Sequence, residues 1–255
     1  MKLALIQTDI IWEDKVRNLE RIGGMISSVP GGTGLVILPE MFNTGFSMNP
    51  VELAEPPQSV TSDWMKDIAA EFNFGICGSY IVSENSKFYN RWIFVSPDGE
   101  VRTYDKRHLF SISGEEALFT RGEKRVVFNF RGIRICPNVC YDLRFPVWSR
   151  NRNDYDLLIN SANWPESRRN VWITLLKARA LENQCFVAGV NRIGIDGAGI
   201  RYYGDSMMLG PKGEIIAKGK QNKESIVSGD ISIDELSGFR RKFPVWKDGD
   251  DFTIN

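Results

Sequence analysis

Residues 1–40, MKLALIQTDIIWEDKVRNLERIGGMISSVPGGTGLVILPE, contain the pattern that decides the fold class. The short apolar run Lys2–Thr8 predicts a buried strand, and Gly34–Leu38 predicts a second one. Between them, Trp12–Ser28 carries apolar residues at helical spacing, which predicts an amphipathic helix. A strand, a helix and a strand in this order are typical of a layered α/β fold.

The alternation of strands and helices continues beyond this opening. Ser62–Phe72 predicts a helix capped by Ser62, and Gly75–Val82 predicts a third strand. A second alternation is predicted later in the chain, with strand Ile133–Val139, helix Phe145–Arg150, strand Leu157–Ser161, helix Ser167–Asn183 and strand Phe186–Asn191. Because no linker rich in proline or glycine divides the chain, we expect a single domain over residues 1–255, with two mixed sheets packed together and helices outside.

Two predicted hairpins interrupt the alternation and resemble each other. Arg91–Asp105 turns at Pro97–Glu100, and Asp205–Ala217 turns at Pro211–Glu214. The shared Pro-x-Gly-Glu pattern suggests two structurally related halves. The polar C-terminal stretch Asp234–Asn255 is expected to cap the body of the protein or to pack on a partner subunit.

The composition excludes several classes of protein. The chain has 255 residues, 42% of them hydrophobic, and 32 basic residues balance 32 acidic ones. A basic face for nucleic acid or a membrane surface is therefore not expected. The sequence lacks a signal-peptide pattern and an apolar run long enough to span a bilayer, and its four cysteines form no CxxC pair. We expect a cytoplasmic protein with free thiols.

Three reactive side chains follow predicted apolar strands. Glu40 follows Leu35–Pro39, Lys106 ends the first hairpin, and Cys140 follows Ile135–Val139. Ligand sites of α/β sheets collect beyond the carboxyl ends of strands, so we expect the three to meet. Each has an ordinary alternative role, as a solvated carboxylate, a surface charge or a small buried hydrophobe. Together they would supply a base, a cation for an oxyanion and a nucleophile for attack on a carbonyl carbon.

Three segments resemble the signature segments of the nitrilase superfamily of carbon–nitrogen hydrolases, in the same order. They are Leu38–Phe42 (LPEMF), Tyr104–Phe110 (YDKRHLF) and Asn138–Pro146 (NVCYDLRFP). The resemblance implies a Glu40–Lys106–Cys140 triad with Glu115 supporting the lysine, a role that the spacing of Glu116 fits less well. It also implies a four-layer α-β-β-α sandwich of two mixed sheets, no metal or other cofactor, and assembly into a homodimer or a larger homo-oligomer.

Four further segments narrow the resemblance to the bacterial ω-amidase branch. They are Ser161–Pro165 (SANWP), Asn191–Gly194 (NRIG), Tyr203–Ser206 (YGDS) and Phe239–Trp246 (FRRKFPVW). Enzymes of this branch are similar to the mammalian Nit-type ω-amidases and hydrolyse the terminal amide of α-ketoglutaramate or α-ketosuccinamate. The resemblance therefore implies a small amide as the substrate and a 2-oxo dicarboxylate and ammonia as the products, formed through a cysteine thioester.

The remaining expected site residues surround this chemistry. The backbone N–H of Tyr141 is expected to join Lys106 in an oxyanion hole, and Arg144 to anchor a substrate carboxylate unless it serves in a structural ion pair. Phe42, Tyr141 and Trp164 are expected to wall the pocket, although a tryptophan of this kind is more often part of the core.

Other interpretations of the same residues stay open. The chain could be another amidase of the superfamily, such as an N-carbamoyl amidohydrolase, or a catalytically silent binding protein on the same fold. A Cys–His mechanism would need His108, the sole histidine, as its base. His108 lies two residues after Lys106, and we expect Lys106 and not His108 to belong to the site. No pair of residues has the spacing of a Cys/His zinc site.

Overall fold

The computed structural model describes residues 1–253 and has two six-stranded sheets. The strands are β1 (Lys2–Gln7), β2 (Thr33–Ile37), β3 (Gly75–Glu84), β4 (Lys87–Val95), β5 (Val101–Asp105), β6 (Phe128–Phe130), β7 (Ile133–Val139), β8 (Leu157–Ala162), β9 (Phe186–Asn191), β10 (Ile193–Ile195), β11 (Arg201–Tyr203), β12 (Met207–Leu209), β13 (Ile215–Lys218) and β14 (Ser225–Asp230). The helices are α1 (Lys15–Ile26), α2 (Pro50–Leu53), α3 (Val60–Phe72), α4 (Glu115–Leu118), α5 (Arg169–Asn183) and α6 (Ile233–Lys242).

The two sheets have the same internal plan. The first runs β14-β1-β2-β3-β4-β5, and the second runs β6-β7-β8-β9-β12-β13. In each, three parallel strands are flanked by one antiparallel strand on one side and by two on the other. The two resembling turns, Pro97–Glu100 and Pro211–Glu214, join the last two strands of their sheets. The prediction of two related halves is therefore confirmed.

Buried apolar side chains hold the four layers together. Between the sheets, Leu5 and Ile37 of the first pack in one cluster with Ile135 and Ile159 of the second. Strands buried on both faces read as continuous apolar runs, which explains why β1 and β2 lack alternation. The predicted four-layer α-β-β-α sandwich of two mixed sheets is confirmed.

The outer layers are amphipathic helices, each with one buried face. Helices α1 and α3 cover the first sheet through side chains such as Ile22 and Met65. Helix α5 covers the second sheet through Trp172 and Leu176. Burying a side chain of this size stabilises the fold by roughly 1.5–3 kcal/mol. None of the helices in residues 1–253 has the length and apolarity needed to cross a membrane.

Two local predictions were wrong. Phe145–Arg150 forms turns instead of a helix, because a short 3-10 helix (Cys140–Arg144) ends at Phe145, and the following Pro146 disfavours helical backbone at that residue. Helix α3 is capped by Ser59 and not by Ser62. Ser62 lies in its first turn and completes a capping box, so the helix begins three residues earlier than predicted.

The C-terminal stretch packs on the body of the same chain, as far as the structure describes it. The Arg240 guanidinium donates to Asp156 at 2.9 Å and to the carbonyl of Gln184 at 2.9 Å. The Gln184 side chain donates in turn to the carbonyl of Phe243. The last two residues of the predicted segment, 254 and 255, lie outside the described residues.

Candidate active site

The structure brings Glu40, Lys106 and Glu115 into direct contact. Lys106 Nζ lies 2.9 Å from a carboxylate oxygen of Glu40 and 2.9 and 3.0 Å from the two carboxylate oxygens of Glu115. All three side chains are fully buried. The carboxylates come from the end of β2 and the start of α4, while Lys106 directly follows β5. Distant parts of the chain thus form one buried ionic cluster.

The cluster keeps its lysine charged. Burial alone would lower the pKa of Lys106, but the carboxylates of Glu115 and Glu40 outweigh it and raise that pKa above its usual value. Burial raises the pKa of Glu115, against the opposing effect of the Lys106 ammonium, and the nearby charge of Glu40 raises it further. The backbone N–H of Phe110 also donates to Glu115 at 2.6 Å and fixes its carboxylate.

Cys140 sits at a sharp turn between β7 and the 3-10 helix. Its φ of 43° lies in the left-handed region that non-glycine residues rarely adopt. Such strain is common where a chain exposes a reactive side chain. The Sγ atom lies 3.8 Å from the carbonyl oxygen of Asn163.

The Cys140 thiol is held in its neutral form. Burial raises its pKa well above the usual value, the charge of Glu40 raises it further, and the Lys106 ammonium lowers it by a smaller amount. A neutral thiol is a weak nucleophile, so attack requires a base that removes the proton as the new bond forms. Glu40 is the carboxylate whose charge acts on this thiol most strongly.

A cavity of about 300 Å³ opens over these groups. Glu40, Lys106 and Cys140 lie on its wall together with the predicted Tyr141, Arg144 and Trp164. Aromatic and apolar residues that the sequence did not single out also line it, among them Trp12, Phe46 and Phe110. This volume lies at the small end of the range of about 300–1,000 Å³ that is typical of ligand pockets, so the cavity suits a small molecule.

Phe42 was wrongly predicted to wall this cavity. Its ring is buried on the helix side of the first sheet, 6.0 Å from Trp64 and 6.3 Å from Tyr80 between ring centroids. The preceding residue, Met41, has a φ of 42°, and this left-handed turn redirects the chain so that Phe42 points into the core.

Two arginines on the cavity wall lack an acidic partner among residues 1–253. The guanidinium of Arg144 lies 5.3 Å from the ring centre of Trp164, and that of Arg168 lies 5.2 Å from the ring centre of Phe110. Neither forms an ion pair with a described carboxylate within 4.0 Å. The structural role considered for Arg144, an ion pair, is therefore not observed in this part of the chain. Unpaired guanidinium groups stacked on aromatic rings are well suited to bind a carboxylate.

Two asparagines complete the surroundings of Glu40, and the sequence interpretation did not identify them. The backbone N–H of Asn163 donates to Glu40 at 2.9 Å, and the side chain of Asn90 donates to Glu40 at 2.8 Å and to Glu115 at 3.2 Å. Asn163 is in the SANWP segment, just beyond β8. The available signal for Asn90 was its place next to the apolar run of β4, where a buried amide needs partners.

His108 does not belong to the cavity. Its Nδ1 atom lies 2.8 Å from a carboxylate oxygen of Asp142, and its ring stacks on Phe145 with 3.8 Å between centroids. It is absent from the residues that line the cavity around Cys140. A Cys–His mechanism with His108 as the base is therefore contradicted by the structure.

The chain is similar in sequence and in fold to known proteins. The carbon-nitrogen hydrolase family matches residues 2–241. The omega-amidase YafV of Escherichia coli is 42% identical over 254 residues, which cover 100% of this chain and 98% of that protein. The 2-oxoglutaramate amidase of Bacillus subtilis is 32% identical over 251 residues, 96% of each chain. The crystal structure of XC1258 from Xanthomonas campestris, a CN-hydrolase superfamily protein with an arsenic adduct in the active site, superposes with a TM-score of 0.97 at 38% identity, covering 100% of this chain and 99% of that one.

Proposed function

Because the chain belongs to the carbon–nitrogen hydrolase family, we propose that it is an ω-amidase that hydrolyses the terminal amide of a small 2-oxo acid amide. Its substrates would be α-ketoglutaramate or α-ketosuccinamate, and its products a 2-oxo dicarboxylate and ammonia. The observation that carries the proposal is the contact of Lys106 with Glu40 and Glu115 on the wall of the cavity that holds Cys140. Full-length identity to an omega-amidase and to a 2-oxoglutaramate amidase supports the substrate class.

The first half of the reaction forms a thioester. Cys140 Sγ attacks the amide carbon while Glu40 takes the thiol proton, which is needed because the thiol is neutral before attack. Lys106 and the backbone N–H of Tyr141 stabilise the negative oxygen of the tetrahedral intermediate. Glu40 then gives its proton to the leaving nitrogen, and the carbon–nitrogen bond breaks to release ammonia.

The second half regenerates the thiol. A water molecule attacks the thioester carbon as Glu40 accepts its proton, and collapse of the second tetrahedral intermediate breaks the carbon–sulfur bond. The proton on Glu40 returns to Cys140 Sγ. Glu115 holds the Lys106 ammonium in place for both halves, since two of the lysine's three short contacts are to this carboxylate.

The substrate carboxylate would bind the arginines at the cavity wall. A 2-oxo dicarboxylic monoamide carries one carboxylate and one ketone at the end opposite to the amide. Arg144 is the proposed carboxylate anchor and Arg168 a second donor to the same end, because both guanidinium groups lie on the wall without an acidic partner in residues 1–253. Assembly into a homodimer or a larger homo-oligomer stays a prediction.

Ammonia release over a panel of amides tests the function. We expect the highest kcat/KM for α-ketoglutaramate or α-ketosuccinamate, and lower values for glutamine, asparagine and N-carbamoyl compounds. Cys140→Ala should abolish turnover, and the matched variant Cys136→Ala, which removes a buried thiol four residues earlier, should keep it. Preference for N-carbamoyl compounds would show that these, and not 2-oxo acid amides, are the substrates. Normal turnover by Cys140→Ala would show that Cys140 is not the nucleophile. No hydrolysis of any amide, together with no selective labelling of Cys140 by a thiol reagent, would indicate a silent binding protein.

The same panel tests the arginine anchor. Arg144→Met should lower kcat/KM for α-ketoglutaramate by about 10–10²-fold, the loss expected for a hydrogen bond to a charged group. A neutral amide without a carboxylate serves as the control, and its hydrolysis should not change. Equal losses for both kinds of substrate would show that Arg144 supports the structure of the pocket and does not bind the substrate carboxylate.

A further inference from the structure

Asp142 lies two residues after Cys140, and its buried carboxylate makes four hydrogen-bonding contacts. One oxygen accepts from the backbone N–H of His108 at 2.9 Å and faces His108 Nδ1 at 2.8 Å. The other accepts from the Tyr104 hydroxyl at 2.8 Å and from the backbone N–H of Val139 at 3.0 Å. The residue is fully buried. Every hydrogen bond therefore compensates for the loss of water around a buried charge.

The donors belong to two segments that carry the proposed catalytic groups. Tyr104 and His108 stand two residues before and two residues after Lys106. Val139 directly precedes Cys140, and Asp142 itself forms part of the turn that carries the thiol. One carboxylate thus bonds to both flanks of the lysine and to the strand end before the cysteine.

We propose that Asp142 is a positioning residue, which fixes the Lys106 segment against the Cys140 turn and so sets where the ammonium lies relative to Sγ. This inference rests on the proposed function, because it assigns Asp142 a place in that reaction. Asp142 does not line the cavity and acts through Lys106 and Cys140.

Further contacts hold Tyr104 and His108 in the positions from which they reach Asp142. The Tyr104 hydroxyl accepts from Trp148 Nε1 at 2.9 Å and from the backbone N–H of Arg107 at 3.3 Å, so its own proton points to Asp142. Burial and the Asp142 charge raise the pKa of Tyr104 well above its usual value, which keeps that proton in place. On the other side, the His108 ring is fixed between Asp142 and the stacked ring of Phe145.

Asp142→Asn is the direct test, since it keeps the size of the side chain. The amide nitrogen would face a backbone N–H donor, that of His108 or that of Val139, at whichever of the two oxygen positions it takes, so at least one of the four hydrogen bonds would be lost. We expect kcat to fall by about 10²-fold, the cost of misplacing catalytic groups by about 1 Å, with KM changed by less than about threefold. We also expect a several-fold slower alkylation of Cys140 by iodoacetamide, because the ammonium that favours its thiolate is displaced.

Matched variants separate positioning from stability. Asp156→Asn removes another buried carboxylate, which bonds Arg134 and Arg240 far from the cavity, and it should lower stability but leave kcat and the alkylation rate unchanged. Tyr104→Phe removes one of the four donors and should change both measurements in the same direction as Asp142→Asn, but less. If Asp142→Asn does not fold, Tyr104→Phe and His108→Gln decide the question.

The outcomes distinguish this inference from the proposed function. Alkylation of Cys140 needs no substrate. If the wild type hydrolyses no 2-oxo amide but Asp142→Asn is alkylated more slowly than the wild type, the positioning role of Asp142 is supported and the ω-amidase assignment is wrong. A folded Asp142→Asn variant with kcat and alkylation rate within about twofold of the wild type would overturn the inference. So would a variant in which KM alone rises, because that pattern belongs to substrate binding. Unchanged kcat in both Tyr104→Phe and His108→Gln would overturn it where Asp142→Asn cannot be measured.

Discussion

The two halves of the molecule share one plan of strands but carry different side chains beyond the ends of equivalent strands. In the first half, β2 is followed by Glu40; in the second, the equivalent strand β8 is followed by Asn163. The two strand ends meet, since the N–H of Asn163 donates to the Glu40 carboxylate at 2.9 Å and its side chain donates to the Glu40 carbonyl at 2.6 Å. One half supplies a carboxylate and the other supplies the donors that hold it.

The lysines after the two resembling turns differ in the same way. Lys106 comes six residues after Glu100 and is fully buried between two carboxylates, while Lys220 comes six residues after Glu214 and is exposed. The repeated plan of strands therefore fixes where each strand ends. The residue that follows the strand decides whether that position takes part in the proposed reaction or only in the structure. This agrees with the general rule that function lies in a site and not in a fold.

The largest contrast between the halves should appear when the two lysines are removed. Lys106→Met keeps the length of the side chain and removes its charge, so the proposed oxyanion loses a donor and Glu40 loses its ionic partner. We expect kcat to fall by about 10²–10³-fold or more. Lys220→Met should leave kcat unchanged. Steady-state kinetics and near-ultraviolet circular dichroism, which checks the packing, measure both variants. A folded Lys106→Met enzyme with normal kcat would show that Lys106 has no catalytic role and that the two lysines do not differ in function.

A smaller effect is expected where the halves meet. Asn163→Asp replaces a side-chain donor to the Glu40 carbonyl with a carboxylate, which places a second negative charge beside Glu40. A hydrogen bond to a carbonyl contributes about 0.5–1.5 kcal/mol, and the added charge acts in the same direction, so we expect kcat to fall by about 10–10²-fold at neutral pH. Asn160→Asp, within β8 on the face that carries Leu158 and Ala162, is the control and should affect stability more than kcat. The opposite ranking would show that Asn163 serves the fold and not Glu40.

Much of this architecture follows from local sequence. The apolar runs at β1, β2, β7 and β8 predict buried parallel strands, and parallel strands bring their carboxyl ends to one edge of a sheet. That rule places Glu40 and Cys140 beyond the carboxyl ends of β2 and β7, and the packing of the two sheets brings both to one cavity. The two Pro-x-Gly-Glu turns predicted the hairpins and the relation between the halves.

Other contacts depend on register and backbone turns that no local pattern specifies. Asn90 reaches Glu40 only because β4 is antiparallel to its neighbours and is held at one particular register. Phe42 points into the core because Met41 adopts a left-handed backbone, which is unusual for methionine. Asp142 meets the lysine segment across the two sheets, a relation between distant segments that only the assembled sandwich creates.

The smallest difference between the halves concerns the resembling turns. Gly99 and Gly213 occupy the same place, with φ of 86° and 76°, so an alanine at either position costs about 1–2 kcal/mol in backbone energy. At Gly99 an added methyl group would meet open space, but at Gly213 it would come within 3.1 Å of Leu181 on helix α5. Gly213→Ala should therefore lower the free energy of unfolding in urea more than Gly99→Ala, with kcat unchanged in both. Leu181→Ala should reduce the excess in a double-mutant cycle, because it removes the nearer of the two side chains that the methyl group would meet, the other being Lys177 at 3.2 Å. Equal losses in the two single variants would mean that the second turn is free of helix α5, and that the halves differ only in the residues at their strand ends.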